Sequence, residues 1–174
     1  MHQMAAMKVL FAVVMLSLPL SEVRATASAD LPVKVRVDKH TDFSALHTYA
    51  WTRGFASLDP ELDAFIVAAI ERELASVGLI RHETEPADVV VSYGTVRRSD
   101  IDVSAKRDRG SGVYPEYSTG TFNVLIREAF SRRELLRARA EVPLDVDSAQ
   151  LEAHIEAIIV RIFAHYPTRV LDRP

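Results

Sequence analysis

The sequence predicts an α+β domain: a mainly antiparallel sheet of about five strands, with two helices packed on one face. Three observations carry this. Residues 33–38, 117–130 and 132–144 alternate apolar and polar side chains with the period of a half-buried strand. Residues 59–78 and 147–167 carry one-sided apolar stripes at helical spacing, punctuated at both ends. Few strands are joined by crossovers, so the sheet is mainly antiparallel, and two one-faced helices can cover one side of it.

In chain order, "VKVRVD" (33–38) sets Val33, Val35 and Val37 against Lys34, Arg36 and Asp38. "HTYAW" (47–51) supplies strand formers after a turn. The first helix opens on Asp59 as N-cap and Pro60 at the first helical position, where its missing N–H costs nothing. Leu62, Phe65, Ile66, Ala69, Ile70, Leu74 and Val77 form its stripe, and Gly78 closes it. "ADVVVSYGTV" (87–96) is a β-branched run suited to a central strand. Residues 97–120 are charged and glycine-rich, either a long exposed loop or strand ends that overrun the sheet.

Phe122, Val124 and Ile126 share one face of the next strand. Leu136, Ala138, Ala140 and Val142 face inward on its hairpin partner, with Arg137, Arg139 and Glu141 outward. Asp147 with Gln150 three residues on has the capping-box pattern. Leu151, Ile155, Ile158, Ile159, Ile162 and Tyr166 form the last stripe, which Pro167 ends. The order is β-β-α-(β)-β-β-β-α.

The 174 residues suit one domain, and an apolar content of 48% is enough for a core. A net charge of −3 gives no basic field for nucleic acid, and none is expected as a partner. With no cysteine, a disulfide, a thiol nucleophile, a thiolate metal site and a lipid-carrying cysteine are all excluded. Lys8, the uncharged run 9–20 and small residues at Ala25, Ala27 and Ala29 make a secretory signal peptide over residues 1–29, with the domain at 30–174. Cleavage after Ala27 or Ala29 fits; retention of the segment as an anchor is the alternative. Removal takes away Lys8, Glu22 and Arg24 and lowers the formal charge from −3 to −4. The expected location is the bacterial periplasm or exterior.

Four residues could carry chemistry near the start of the domain. Asp38, His40 and Asp42 would share a face of an extended strand, and His47 could return beside them to hold zinc or a similar ion. The simpler account is a turn over "KHTD" in which Asp42 bonds the backbone. Tyr49 and Trp51, two apart, lie on one sheet face and could form a stacking platform for a ligand; the competing account is core packing, with Phe43 anchoring the same corner. Arg137 and Arg139 on the exposed side of the hairpin could dock an acidic partner or lipid headgroups, although Glu128, Glu134 and Glu141 interleave with the hairpin's arginines. There is no G-x-S-x-G elbow and no phosphate-loop spacing.

These segments together resemble the domain-of-unknown-function family numbered 4136, found in bacterial envelope proteins and often in lipoproteins. The resemblance rests on "VDKHTDFSALHTYAW", "DPELDAFIVAAIERELASVGL", "ADVVVSYG", "YSTGTFNVLIREAFSRRELLRARA" and "IEAIIVRIFAHYP", in order over nearly all of the mature chain. The sequence departs from the family pattern in lacking the lipobox cysteine. It also has Leu46 in place of a frequent tyrosine, Leu125 in place of an acidic residue, and Leu136 and Ala138 where W-x-G is common. The resemblance implies fold and location and supplies no catalytic residue.

The leading functional expectation is an exported envelope domain that acts by binding, needs no cofactor and engages another envelope protein or a cell-surface component. The open sheet face, the arginine hairpin and residues 97–120 are its expected contact surfaces. The rival is a metal-assisted hydrolase centred on Asp38, His40, Asp42 and His47.

Overall fold

Alternation produces the first strand, β1 (Val33–Val37), whose valines are half-buried while Lys34 and Arg36 are exposed. A one-turn 3-10 helix at Phe43–Ala45 follows, capped by Asp42, and leads into β2 (Thr48–Trp51). Helix α1 (Pro60–Ser76) starts where the sequence predicts: the Asp59 carboxylate accepts the N–H groups of Glu61 and Leu62. Its C-terminus is a Schellman motif. Gly78 takes φ 85°, its N–H reaches the Ala75 carbonyl, and the Leu79 N–H reaches that of Leu74. Then come β3 (Ile80–Arg81), β4 (Val89–Ile101), β5 (Glu116–Glu128), β6 (Glu134–Pro143) and helix α2 (Ser148–Phe163), whose Asp147 cap accepts the Gln150 N–H. This computed structural model describes residues 31–83, 86–107, 110 and 112–167; the expected signal peptide over 1–29, with its cleavage site, lies outside them.

The strands form one sheet in the order β1-β6-β5-β4-β2-β3. β1/β6, β6/β5 and β5/β4 are antiparallel, while β4/β2 and β2/β3 are parallel. The sheet belongs to an α+β domain with two helices and is antiparallel in its three longest ladders, as the sequence predicts, but it has six strands rather than about five and is mixed, with parallel pairing at the β4–β2–β3 end. Parallel neighbours need a crossover, and α1 is that crossover, carrying the chain from β2 to β3 and β4. The bracketed strand is β3, two exposed residues held by the N–H groups of Ile80 and His82 on the carbonyls of His47 and Tyr49.

One face of the sheet builds the core. Val89, Val91 and Tyr93 of β4, Phe122, Val124 and Ile126 of β5, and Leu136, Ala138, Ala140 and Val142 of β6 are buried against both helices. Ile66, Ile70 and Leu74 of α1 and Ile158, Ile159 and Ile162 of α2 are almost wholly excluded from water. Each such side chain contributes about 1.5–3 kcal/mol by burial. Phe43 is buried and meets Tyr166 edge-on at 5.1 Å, as the corner-anchor expectation has it. Phe163 and Leu135, outside the stripes read from the sequence, are also core. For residues 97–120, the overrunning-strand alternative holds: β4 and β5 pair beyond β6 as far as Ile101 opposite Glu116.

Candidate functional site

The corner between β1 and β2 gathers Asp38, His40, Asp42 and His47 without converging them. Asp38 accepts the Thr41 hydroxyl at 2.6 Å, the His40 N–H at 3.1 Å and the Arg133 guanidinium from the β5–β6 turn. The Thr41 hydroxyl, then the His40 N–H, hold its carboxyl below the usual range against desolvation, and the Arg133 charge adds a lesser downward pull. A metal ion there would have to displace a guanidinium. Asp42 is occupied by the Ser44 N–H at 2.9 Å and the Ser44 hydroxyl at 2.5 Å, which lower its pKa. His40 and His47 are exposed. Among the described residues, no three His, Cys, Asp or Glu side chains stand together as metal ligands do. The corner is a clasp that ties the end of β1 to the β5–β6 turn.

A residue not singled out from the sequence sets the start of β2. Asp88, just before β4, accepts the His47 N–H at 2.8 Å and both the N–H and hydroxyl of Thr48 at 2.9 Å. Burial pushes its carboxyl up, but these donors outweigh burial and the pKa falls. Its signal in the sequence was an acidic residue opening a β-branched strand.

Tyr49 and Trp51 do share a sheet face, and it is the helix-covered one. Tyr49, Trp51, Tyr93 and Phe122 form an aromatic row across β2, β4 and β5, with centroid spacings of 6.3, 6.4 and 6.2 Å. Tyr49 is 3% exposed, so its ring belongs to the core. Burial, then Glu71, raises its hydroxyl pKa against the opposing charge of Arg81. Trp51 is half-buried; its indole N–H donates to Glu71 at 2.8 Å, and Arg81 reaches the same carboxylate oxygen at 2.8 Å. Next to it the Tyr93 hydroxyl donates to Asp63 of α1. These bonds tie the sheet face to the first helix.

Arg137 and Arg139 lie on the opposite, open face. β1 pairs with β6 so that Arg36 stands directly opposite Arg137, and Lys34 opposite Arg139. All four are exposed. Glu134 pairs with Arg137 at 2.5 Å and raises its pKa, and Glu141 approaches Arg139 at 3.6 Å. Like charges directly opposite on a sheet repel, and exposed ion pairs offset little of that, about 0–1 kcal/mol each. The rest of this face carries Thr119, Thr121, Asn123, Leu125 and Arg127 of β5 and Val90, Ser92 and Val96 of β4. The cross-strand register makes this cationic patch, and sequence spacing alone does not show it.

Among solved structures, a PDZ domain protein from Parabacteroides distasonis is similar, with a TM-score of 0.54 and 19% identity over 79% of this chain and 35% of that one. This chain therefore spans about a third of that protein's length. The PelC dodecamer from Paraburkholderia phytofirmans is similar with a TM-score of 0.50 and 8% identity, over 77% of this chain and 95% of that one. At these identities both likenesses are of fold alone. No curated protein matches the sequence. The profile of the family described as "Domain of unknown function (DUF4136)" matches residues 33–168, from the first strand to beyond the last helix, and the chain belongs to that family.

Proposed function

We propose that this protein is an exported binding domain of the bacterial envelope, and that the open face of its sheet docks an acidic envelope protein or cell-surface component. The observation that carries the reading is the pair of like-charge contacts, Arg36 opposite Arg137 and Lys34 opposite Arg139, on a chain whose net charge is −3. An anionic partner relieves this repulsion on binding, and its charge steers the encounter. Export is supported by Lys8, the apolar run 9–20 and the small residues at 25, 27 and 29.

Titration with poly-L-glutamate tests the docking face. Binding that weakens steeply with added salt, and at least tenfold in the Lys34→Glu/Arg36→Glu double variant, is the expected result. Affinity insensitive to both overturns it. Mass analysis of periplasmic and secreted fractions is expected to show a mature chain beginning at residue 28 or 30.

A further inference from the structure

The inner face of the sheet runs on past the starts of both helices. There a cleft of about 390 Å³ opens between the first turns of α1 and α2, floored by β4, β5 and β6. That is within the size range of small-molecule sites, roughly 300–1,000 Å³. Its lining is mostly aliphatic, with Leu62, Val142 and Leu151 among the walls and Phe122 in the floor. At its lip Leu58 is 102% exposed, and Phe55, close by along the same segment, is 80% exposed. Large apolar side chains left in water beside an apolar cleft mark a binding surface.

One cation stands in this setting. Along β4 the residues facing the helices are Val89, Val91 and Tyr93, and the same alternation brings Thr95 and then Arg97 to that face, two steps beyond the core. The register sets Arg97 beside Gly120 and Gly120 beside Val142, so the neighbouring strand offers no side chain to cover it. Its described polar contact is the Ser118 hydroxyl at 3.3 Å, and among the described residues no carboxylate is in ion-pair reach. Arg98, the next residue, is by contrast paired with Asp100 at 2.6 Å. Asp59 also lines the cleft, but its carboxylate is directed to the N–H groups of Glu61 and Leu62 at 2.9 and 3.4 Å.

We infer that the cleft binds a single-chain amphiphile with an anionic head, a fatty carboxylate, its tail between the helix starts and its head on Arg97. Besides Arg97 and the occupied Asp59, the polar lining residues are Ser57, Thr95 and Thr121, which bring no second cation, less than the set of placed polar groups that orients a sugar or nucleotide. A ligand that is apolar apart from one negative charge matches both the lining and the lone guanidinium. The site lies on the helix side of the sheet and is independent of the docking face.

Calorimetric titration of the purified chain with sodium dodecanoate, kept below its micelle concentration, is expected to show one site per chain. Dodecyltrimethylammonium, with the same tail and the opposite head charge, is expected to bind at least tenfold more weakly. Arg97→Gln is expected to weaken dodecanoate binding at least tenfold, and Leu151→Trp, which fills the cleft, to abolish it. Lys34→Glu/Arg36→Glu is expected to leave it unchanged, so failure here and failure of the docking face read out separately. Equal affinity for the two amphiphiles overturns the inference without recourse to any variant. So does dodecanoate affinity within twofold of normal in a folded Arg97→Gln protein, or a chain that binds only phosphatidylglycerol vesicles or only a second copy of itself through Leu58.

Discussion

Asp88 and Thr48 close a reciprocal ring: the carboxylate accepts the Thr48 N–H and hydroxyl, and the Thr48 hydroxyl accepts the Asp88 N–H, all at 2.9 Å. This ring joins two strands that sit 40 residues apart in sequence. Hydrogen bonds to a charged acceptor are worth about 1.5–3 kcal/mol. Asp88→Ala is therefore expected to cost about 2 kcal/mol in urea unfolding at neutral pH. Against the upward push of burial, the His47 and Thr48 donors hold the folded-state pKa below that of a free aspartate carboxyl. Its stabilisation is thus complete above that value and is lost as pH falls through the lower folded value. The gap between Asp88→Asn and the natural protein is expected to be widest near neutrality and to narrow below about pH 4.

Two glycines separate close backbone approach from tolerable crowding. A Cβ on Gly54 would lie 2.0 Å from the Tyr93 carbonyl oxygen, while one on Gly120 would lie 3.1 Å from the Leu144 Cδ2 methyl. A backbone oxygen in the sheet cannot yield, and a leucine tip can. Gly54→Ala is expected to destabilise by about 3 kcal/mol, the upper part of the overpacking range, and Gly120→Ala by less than about 1. Thermal unfolding of the two variants side by side checks the contrast.

Arg132, in the turn between β5 and β6, holds φ at 61° without being glycine. The left-handed region costs an L-residue roughly 1–2 kcal/mol. Arg132→Gly is expected to raise stability by about 0.5–1 kcal/mol, after the added freedom of the unfolded chain is counted. A denaturant midpoint shift with unchanged slope is the readout.

Trp51 is the only tryptophan and reports on the α1–sheet contact. Its half-buried ring and its bond to Glu71 predict native emission blue-shifted from that of free indole, moving red on unfolding. Trp51→Ala is expected to cost about 3 kcal/mol, the low end of the range for large aromatics because the ring is not wholly buried. Glu71→Gln is expected to keep the fold while shifting the native emission.

Much of this architecture is legible in the residues because caps and periodicities are local. Asp59 with Pro60, Gly78 and Asp147 mark helix ends through bonds within a few residues, and the β5–β6 alternation reads directly as buried and exposed faces. β3 is legible only as a bracketed strand without bounds, since two exposed residues carry no period. Its parallel pairing depends on where α1 returns the chain. The Asp38 clasp depends on Arg133, 95 positions away, so spacing near Asp38 suggests ligands where the fold supplies a guanidinium. The cleft is hidden for the same reason: Arg97, Gly120 and Leu151 come together only in the folded sheet and helices.

The outermost position of β1 sets an order for folding. Among the described residues its one sheet neighbour is β6, with Val33 opposite Ala140, roughly a hundred residues on. The β4–β5–β6 meander can form from neighbouring segments, whereas β1 must await the far end of the chain and meet a large loop-closure entropy. A chain emerging N-terminus first therefore holds its leading strand unpaired until nearly the whole domain has followed, and any truncation before β6 leaves β1 with no template.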